Sequence, residues 1–265
     1  MQFKEVRRVN LQQIAKHIDF HQQNGTEMDK ITIEYPSLHV DDAYEIQRLS
    51  IEEAIARGDE LIGMKMGLTS VAKQKSVGVE EAIYGRLTRS MELMEPTLGM
   101  KGLIHPRVEP EIAFVLKKDL EGENVTVRDV WAATECVIPA LEVIDSRYKN
   151  FSFTLEDVVA DNASSTKFLL GYQAYSPYHT QWDQIKVEMF RNGELVQEGV
   201  GAAVLDHPVR SVVELVKMLS RRGESLKAGM VIFTGAITEA INVYEGDQIE
   251  VKFDQLGILS LKVEE

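Results

Sequence analysis

The segment HPRVEPEIAFV, residues 105–115, carries two glutamates, Glu109 and Glu111, separated by one residue. On an extended strand such residues share a face, with Cα atoms about 6.6 Å apart. Like charges at that spacing repel by roughly 2.5 kcal/mol at an effective dielectric of about 20, and burial adds several kcal/mol per ion. A divalent cation between them removes both penalties. In VIPALEVIDSRY, residues 137–148, the same period places Glu142 on a face with Ile138, Ala140 and Ile144. A carboxylate on an apolar face requires a partner. Three carboxylates from two neighbouring strands would form an incomplete oxygen cage for Mg2+ or Mn2+, which waters or a chelating substrate complete. No clustered His/Cys spacing points to zinc. The competing reading sets Glu109 and Glu111 on the solvent face of an edge strand, a position that Pro110 favours.

Other side chains have two readings each. Lys65, in GMKMGLTS, is either an ammonium reaching from a sparse backbone into a pocket or a solvated loop lysine. VVADNASSTKF, residues 158–168, groups Asp161, Asn162, Ser164, Ser165 and Lys167 after an apolar run, as a binding segment or as a polar turn. The GVGAA run at 199–203 lacks a complete phosphate-loop pattern. No G-x-S-x-G elbow accompanies the Ser, His and Asp content. His105 and His207 precede prolines without metal spacing, and Cys136 reads as a small core residue.

The elements that must hold these groups follow from periodicity. Helical spacing runs over residues 8–24, through Val9, Leu11, Ile14 and Ile18, and Gly25 ends it. A second helix starts near Asp41 as N-cap and stops at Arg57-Gly58. From Leu61 the texture is that of a strand entering a loop. After about residue 103 short apolar runs separated by turns predict a β-rich core. Asn192-Gly193 marks a hairpin and Asp254 to Gly257 another turn. Two helices interrupt the strands, one opened by Thr126-x-x-Asp129, the other by a Ser211-x-x-Glu214 capping box and closed by Gly223. The expected class is α+β, with a helical N-terminal segment (1–75) packed on a β-rich catalytic domain (76–265).

Composition narrows the function. The chain has 265 residues, 44% hydrophobic and 27% charged, with 29 Lys+Arg against 42 Asp+Glu and a net charge of −13. That excess repels phosphate backbones, which argues against nucleic acid as a partner. No apolar run approaches the ~20 residues of a membrane helix, and the first ten residues are too polar for a signal peptide. A single cysteine fits a reducing cytoplasm.

GMKMGLTS, HPRVEPEIAFV, PALEVIDSRY, VVADNASSTKF, GVGAAVLDHP and MVIFTGAIT occur in one order over about residues 60–240. Together they resemble the fumarylacetoacetate-hydrolase superfamily, and within it the hydratase/decarboxylase group of catechol meta-cleavage. Asp145, and the basic Lys167 after Ser-Ser-Thr, resemble the decarboxylase form. Asp206 before His207 departs from the glycine expected there.

The resemblance implies a mixed β-roll with a divalent metal at its centre, Glu109, Glu111 and Glu142 as its ligands, and Lys65 as the active-site lysine. The activity it implies is decarboxylation of 2-oxo-3-hexenedioate, a small 2-oxo dicarboxylate, to 2-hydroxypenta-2,4-dienoate. The alternative is hydration of that dienoate. Asp161 would hold Lys65 or a water, while Asp145, Ser164, Ser165 and Lys167 would orient the distal carboxylate. A complex with the sister vinylpyruvate hydratase, and a homo-oligomer, are compatible with this reading. An acylpyruvate hydrolase would need a His/Glu pair on an N-terminal lid, which the sequence does not reveal. A metal-free binding module would leave the three glutamates apart.

Overall fold

The computed structural model describes residues 10–70, 74 and 81–265. Val9 and the 75/76 domain boundary expected from the sequence lie outside the described residues.

Three helices open the chain: α1 (Leu11–Asn24), α2 (Ile31–Glu34) and α3 (Val40–Ala56). Asn10 caps α1 by accepting from Gln13 N, and Gly25, at φ 57°, ends it. The cap of α3 is His39 rather than Asp41, because Asp42 reaches back to accept from His39 N. The helices are bound to the rest of the molecule by buried polar bonds. Gln47 Nε2 donates to the carbonyls of Tyr84 and Val159. Asp157 accepts from Thr32 N and Oγ1 at 3.0 and 2.9 Å.

Two sheets follow. The larger orders β2 (Ile83–Thr88), β1 (Leu61–Gly67), β9 (Val231–Phe233), β4 (Arg107–Leu116), β5 (Thr134–Ile144) and β6 (Ser165–Leu170), with β10 (Ile241–Asn242) pairing along β4. Only β1 and β9 run parallel in it. The smaller orders β3 (Thr97–Gly99), β12 (Gly257–Glu264), β11 (Gln248–Phe253), β7 (Lys186–Arg191) and β8 (Glu194–Val200). The β7–β8 hairpin turns on Asn192 and Gly193, both at positive φ, as Asn-Gly dictates. β1 lies between β2 and β9, so the β-rich unit already includes residue 61.

The large sheet separates two apolar clusters. Met64, Met66, Val108, Ile112, Phe114, Leu141 and Val143 join the main core, whereas Ala113, Ala140, Phe168 and Phe233 form a smaller one on the opposite face. By the period of two, Glu109, Glu111 and Glu142 belong to that second face.

β4 is not the edge strand that Pro110 suggested: β5 flanks one side, β9 and β10 the other. A strand residue's N–H and C=O point the same way, and the Pro110 carbonyl accepts from Ile237 N. The missing N–H therefore faces the gap between β9 and β10, where no ladder bond is lost.

Later in the chain, among the described residues, come the helices α4 (Val127–Ala133), α5 (Leu155–Ala160) and α6 (Pro208–Ser220). α6 begins one turn before the expected Ser211 box. Pro208 takes the first helical position, where its absent N–H is harmless, and His207 Nδ1 accepts from Val209 N. Ser211 lies inside the helix and donates to the Thr234 carbonyl. Cys136 is half-buried rather than in the core.

Candidate metal centre

The β4–β5 register pairs Glu109 with Glu142 and Glu111 with Ala140. One oxygen from each of Glu109, Glu111 and Glu142 lies within 4.8 Å of the others, the only such group of three His, Cys, Asp or Glu ligands among the described residues. Glu111 and Glu142 are fully buried and Glu109 nearly so. Glu111 Oε2 accepts from Gly235 N at 2.7 Å. Its Oε1, and Oε1 of Glu142, are buried without a hydrogen-bond partner.

Lys65 supplies the nearby cation. Its Nζ donates to Glu142 Oε2 at 3.1 Å, with Oε1 also at 3.1 Å but outside hydrogen-bond geometry. A 2% exposed lysine needs room and a counter-charge. Glycines give the room: a Cβ on Gly67 would sit 3.8 Å from Nζ, and Gly85 is the direct cross-strand neighbour of Lys65. Burial opposes the charged ammonium, but Glu142, Glu109 and Glu111 outweigh it and hold the lysine pKa above its ordinary value. Burial, then repulsion from Glu142 and Glu109, pushes the Glu111 carboxyl well above the carboxylate range. Burial also raises Glu142, although Lys65 pulls the other way.

Asn162, Ala163 and Ser164 are three consecutive non-glycine residues at φ 51°, 50° and 58°. Left-handed backbone costs about 1–2 kcal/mol per residue, so the turn must be held. Asn162 holds it by imitating a strand: Oδ1 accepts from Arg86 N at 2.7 Å and Nδ2 donates to Arg86 O at 2.9 Å. Ser164 O also accepts from Asp145 N. A Cβ on Gly85 would lie 2.7 Å from Asn162 O, so β2 admits this turn only as glycine. The turn leaves Ser164 Oγ buried and unpartnered in the wall of a cavity of about 390 Å3, also lined by Lys65, Arg107, Glu109, Phe151 and Phe153. A larger hollow of about 1070 Å3 runs along the small sheet, but its volume marks no such ligand cluster.

The remaining expected residues lie elsewhere. Asp145 is buried, with Oδ1 accepting from His105 N and Oδ2 from Ile104 N, both at 2.8 Å. It anchors the entry to β4 instead of facing the cavity. Asp161 holds neither Lys65 nor an open site: it pairs with Arg147 through Nε at 2.5 Å and backbone N at 3.1 Å. Burial pushes its carboxyl up to about 6 against the pull of that guanidinium. Ser165 is buried beside Glu142 with Oγ outside hydrogen-bond geometry, and does not line the cavity. Lys167 lines a separate hollow and donates to Ser90 O at 2.7 Å, because Phe168 takes the inward position opposite Glu142.

The sequence reading overlooked two arginines. Arg147 also donates to the carbonyls of Asp145 and Asp161, tying β5 to the 161–166 turn. Arg107 lines the cavity, and the period that paired Glu109 with Glu111 extends back to it.

Residues 69–264 match the family model described as fumarylacetoacetate (FAA) hydrolase C-terminal. The chain belongs to the fumarylacetoacetate hydrolase family. Among family relatives, 4-oxalocrotonate decarboxylase of Pseudomonas sp. (strain CF600) is 43% identical over 250 residues, 94% of this chain and 95% of that one. The 2-hydroxyhexa-2,4-dienoate hydratase of Comamonas testosteroni is 37% identical, over 89% of this chain and 90% of the relative. A solved structure of the family, 4-oxalocrotonate decarboxylase from Pseudomonas putida G7 complexed with magnesium and adipate, superposes with a TM-score of 0.94. It is 41% identical and covers 97% of this chain and 99% of its own. The family assignment fits the α+β architecture described above.

Proposed function

We propose that this chain is a divalent-metal-dependent carboxy-lyase that converts 2-oxo-3-hexenedioate to 2-hydroxypenta-2,4-dienoate and CO2. The observation that carries the proposal is the convergence of Glu109, Glu111 and Glu142 beside a buried Lys65. The donor set is all oxygen, as Mg2+ or Mn2+ prefers. Two buried carboxylate oxygens that accept no hydrogen bond and two raised carboxyl pKa values are the signature of a site that a cation would relieve. The relatives named as 4-oxalocrotonate decarboxylases support the choice of reaction.

Glu109, Glu111 and Glu142 would hold the metal, and Gly235 N fixes the direction of the Glu111 carboxylate. When bound, the metal supplies a Lewis acid for the 1-carboxylate and 2-oxo oxygen of the substrate. As the C5–C6 bond breaks and the distal carboxylate departs as CO2, the bond's electron pair moves from C5 through C4 and C3 to the 2-oxo oxygen. Lys65, held charged by its carboxylate neighbours, hydrogen-bonds to the negative charge developing there. Protonation of that oxygen gives the dienol. Ser164 Oγ offers a pre-positioned hydrogen bond, and Phe151, Phe153 and Val158 wall the cavity against water. Asp161 acts through Arg147, shaping the turn that presents Ser164.

The dienol product is unstable, so transfer within a complex with a vinylpyruvate hydratase is part of this reading. So is work in a reducing cytoplasm. Paired steady-state assays with saturating Mg2+ test the reaction. Release of CO2 from 2-oxo-3-hexenedioate, faster than hydration of 2-hydroxypenta-2,4-dienoate, is expected. Hydration without CO2 would favour the hydratase activity of the Comamonas relative instead.

A further inference from the structure

We infer that Arg107 is the specificity residue for a second, distal carboxylate on the ligand. The inference deepens the proposed function and rests on it for the position of the other end of the substrate. Among the described residues lining the cavity, two are permanently cationic in character, Lys65 and Arg107. Lys65 sits at the glutamate end of the cavity, bonded to Glu142 where the 2-oxo end of the substrate would lie. Lys167, the basic group the sequence suggested, lies in another hollow.

Arg107 is built as a receptor. Its Nε donates to Asn242 Oδ1 at 3.1 Å, and its guanidinium carbon lies 3.8 Å from the centre of the Phe151 ring. These contacts fix the plane of the group while, among the described residues, no acceptor takes its Nη1 or Nη2 donors. Two parallel N–H groups on a fixed plane match a carboxylate. Arg107 stands two residues before Glu109 on the same strand face. The two side chains therefore project from one strand into the same cavity, side by side along β4. A 2-oxo acid seated at the three glutamates by its 1-carboxylate end would thus present its far carboxylate to Arg107. A monoacid of equal length would leave the guanidinium unanswered.

The grip also has a kinetic signature. A cation on the departing carboxylate stabilises the bound reactant more than the transition state, in which that charge is dispersing. Loss of Arg107 should therefore raise KM while leaving kcat unchanged or higher.

Calorimetric titration of the Mg2+-loaded protein with 2-oxoadipate and with 2-oxohexanoate tests the assignment. Both share the chelating end, and only the first has a distal carboxylate. Neither is conjugated for loss of CO2, so binding is read whether or not the chain decarboxylates anything. Wild type should favour the diacid by about 10- to 100-fold, the range of a charge-assisted pair. Arg107→Gln should reduce the ratio to within about threefold of unity, and Arg107→Lys, which keeps charge but loses the fork, should fall between. A folded Arg107→Gln protein with the wild-type ratio would overturn the assignment, as would a wild type with no preference. Should Arg107→Gln fail to fold, an undiminished ratio in Arg107→Lys would overturn it. Failure of CO2 release would count against the decarboxylase reading and leave this ratio intact.

Discussion

Glu109 stands directly opposite Glu142 across the β4–β5 ladder, and both face inward. Like charges directly opposite in a sheet are destabilising, and here Glu111 adds a third. Lys65 pairs with Glu142 and lies within the field of the other two carboxylates. The site is therefore held in a state that a divalent cation improves. Glu142→Gln should lower Mg2+ affinity by at least roughly 10- to 100-fold without unfolding the metal-free protein. Thermal melts with and without Mg2+ read both effects: the metal-dependent rise in Tm should shrink, and the metal-free protein should still melt cooperatively.

Acidity should compete with the metal. Glu111 and Glu142 are raised in the metal-free protein, chiefly by burial, so each retains a proton to higher pH than an exposed glutamate. A raised carboxyl pKa favours the metal-free folded state at low pH, and that contribution is lost as pH rises through the folded pKa. Metal binding requires the deprotonated form. Mg2+ affinity should accordingly fall as pH is lowered, and binding should release more protons at lower pH than at higher pH. Calorimetry in buffers of different ionisation enthalpy measures the protons released; a release that does not grow as pH is lowered would contradict this electrostatic picture.

Lys65 should affect rate rather than metal retention. Lys65→Met removes a positive charge from beside Glu142 and leaves the cage more negative, so Mg2+ affinity should not decrease. The rate should fall by about 100- to 1,000-fold if the ammonium stabilises charge developing in the transition state. Steady-state kinetics at saturating Mg2+, paired with a metal titration, separates the two effects.

The left-handed turn at Asn162–Ser164 should depend on its clamp. Asn162→Ala removes both hydrogen bonds to the Arg86 backbone and leaves those buried groups unmatched. A loss of about 2–4 kcal/mol in urea unfolding is expected, together with weaker substrate binding as Ser164 shifts. Wild-type stability in this variant would show that the turn is held by other contacts.

The strand-borne part of the site was legible in the sequence because β-structure has a period of two. That period alone put Glu109 and Glu111 on one face, and Glu142 betrayed itself by sharing a face with Ile138 and Ala140. Lys65 was marked by glycines at 63 and 67, and the structure shows Gly67 leaving space near its ammonium. The turn-borne part was not legible. Asp161 and Lys167 were grouped by proximity along the chain, but successive residues at positive φ from 162 to 164 redirect it, and Asp145, marked by the resemblance, turns to the 104–105 backbone. Lys167 ends beside Ser90 and Asp161 beside Arg147. Arg107 was missed although it obeys the same period as Glu109, because an arginine at the first position of a strand resembles any solvated terminus. The start of α6 was misplaced for a related reason: a Ser-x-x-Glu pattern occurs inside helices, and Pro208 was the stronger signal.

The central claim is that Glu109, Glu111 and Glu142 assemble the metal centre at which CO2 is lost from 2-oxo-3-hexenedioate. Its most direct measurement is CO2 release by protein stripped with a chelator and then titrated with Mg2+, run beside Glu142→Gln. The account predicts release that vanishes on stripping, returns with Mg2+ in the wild type and fails to return in Glu142→Gln at the same Mg2+ concentration. Release that survives complete stripping, or that Glu142→Gln recovers at the wild-type Mg2+ concentration, would contradict it.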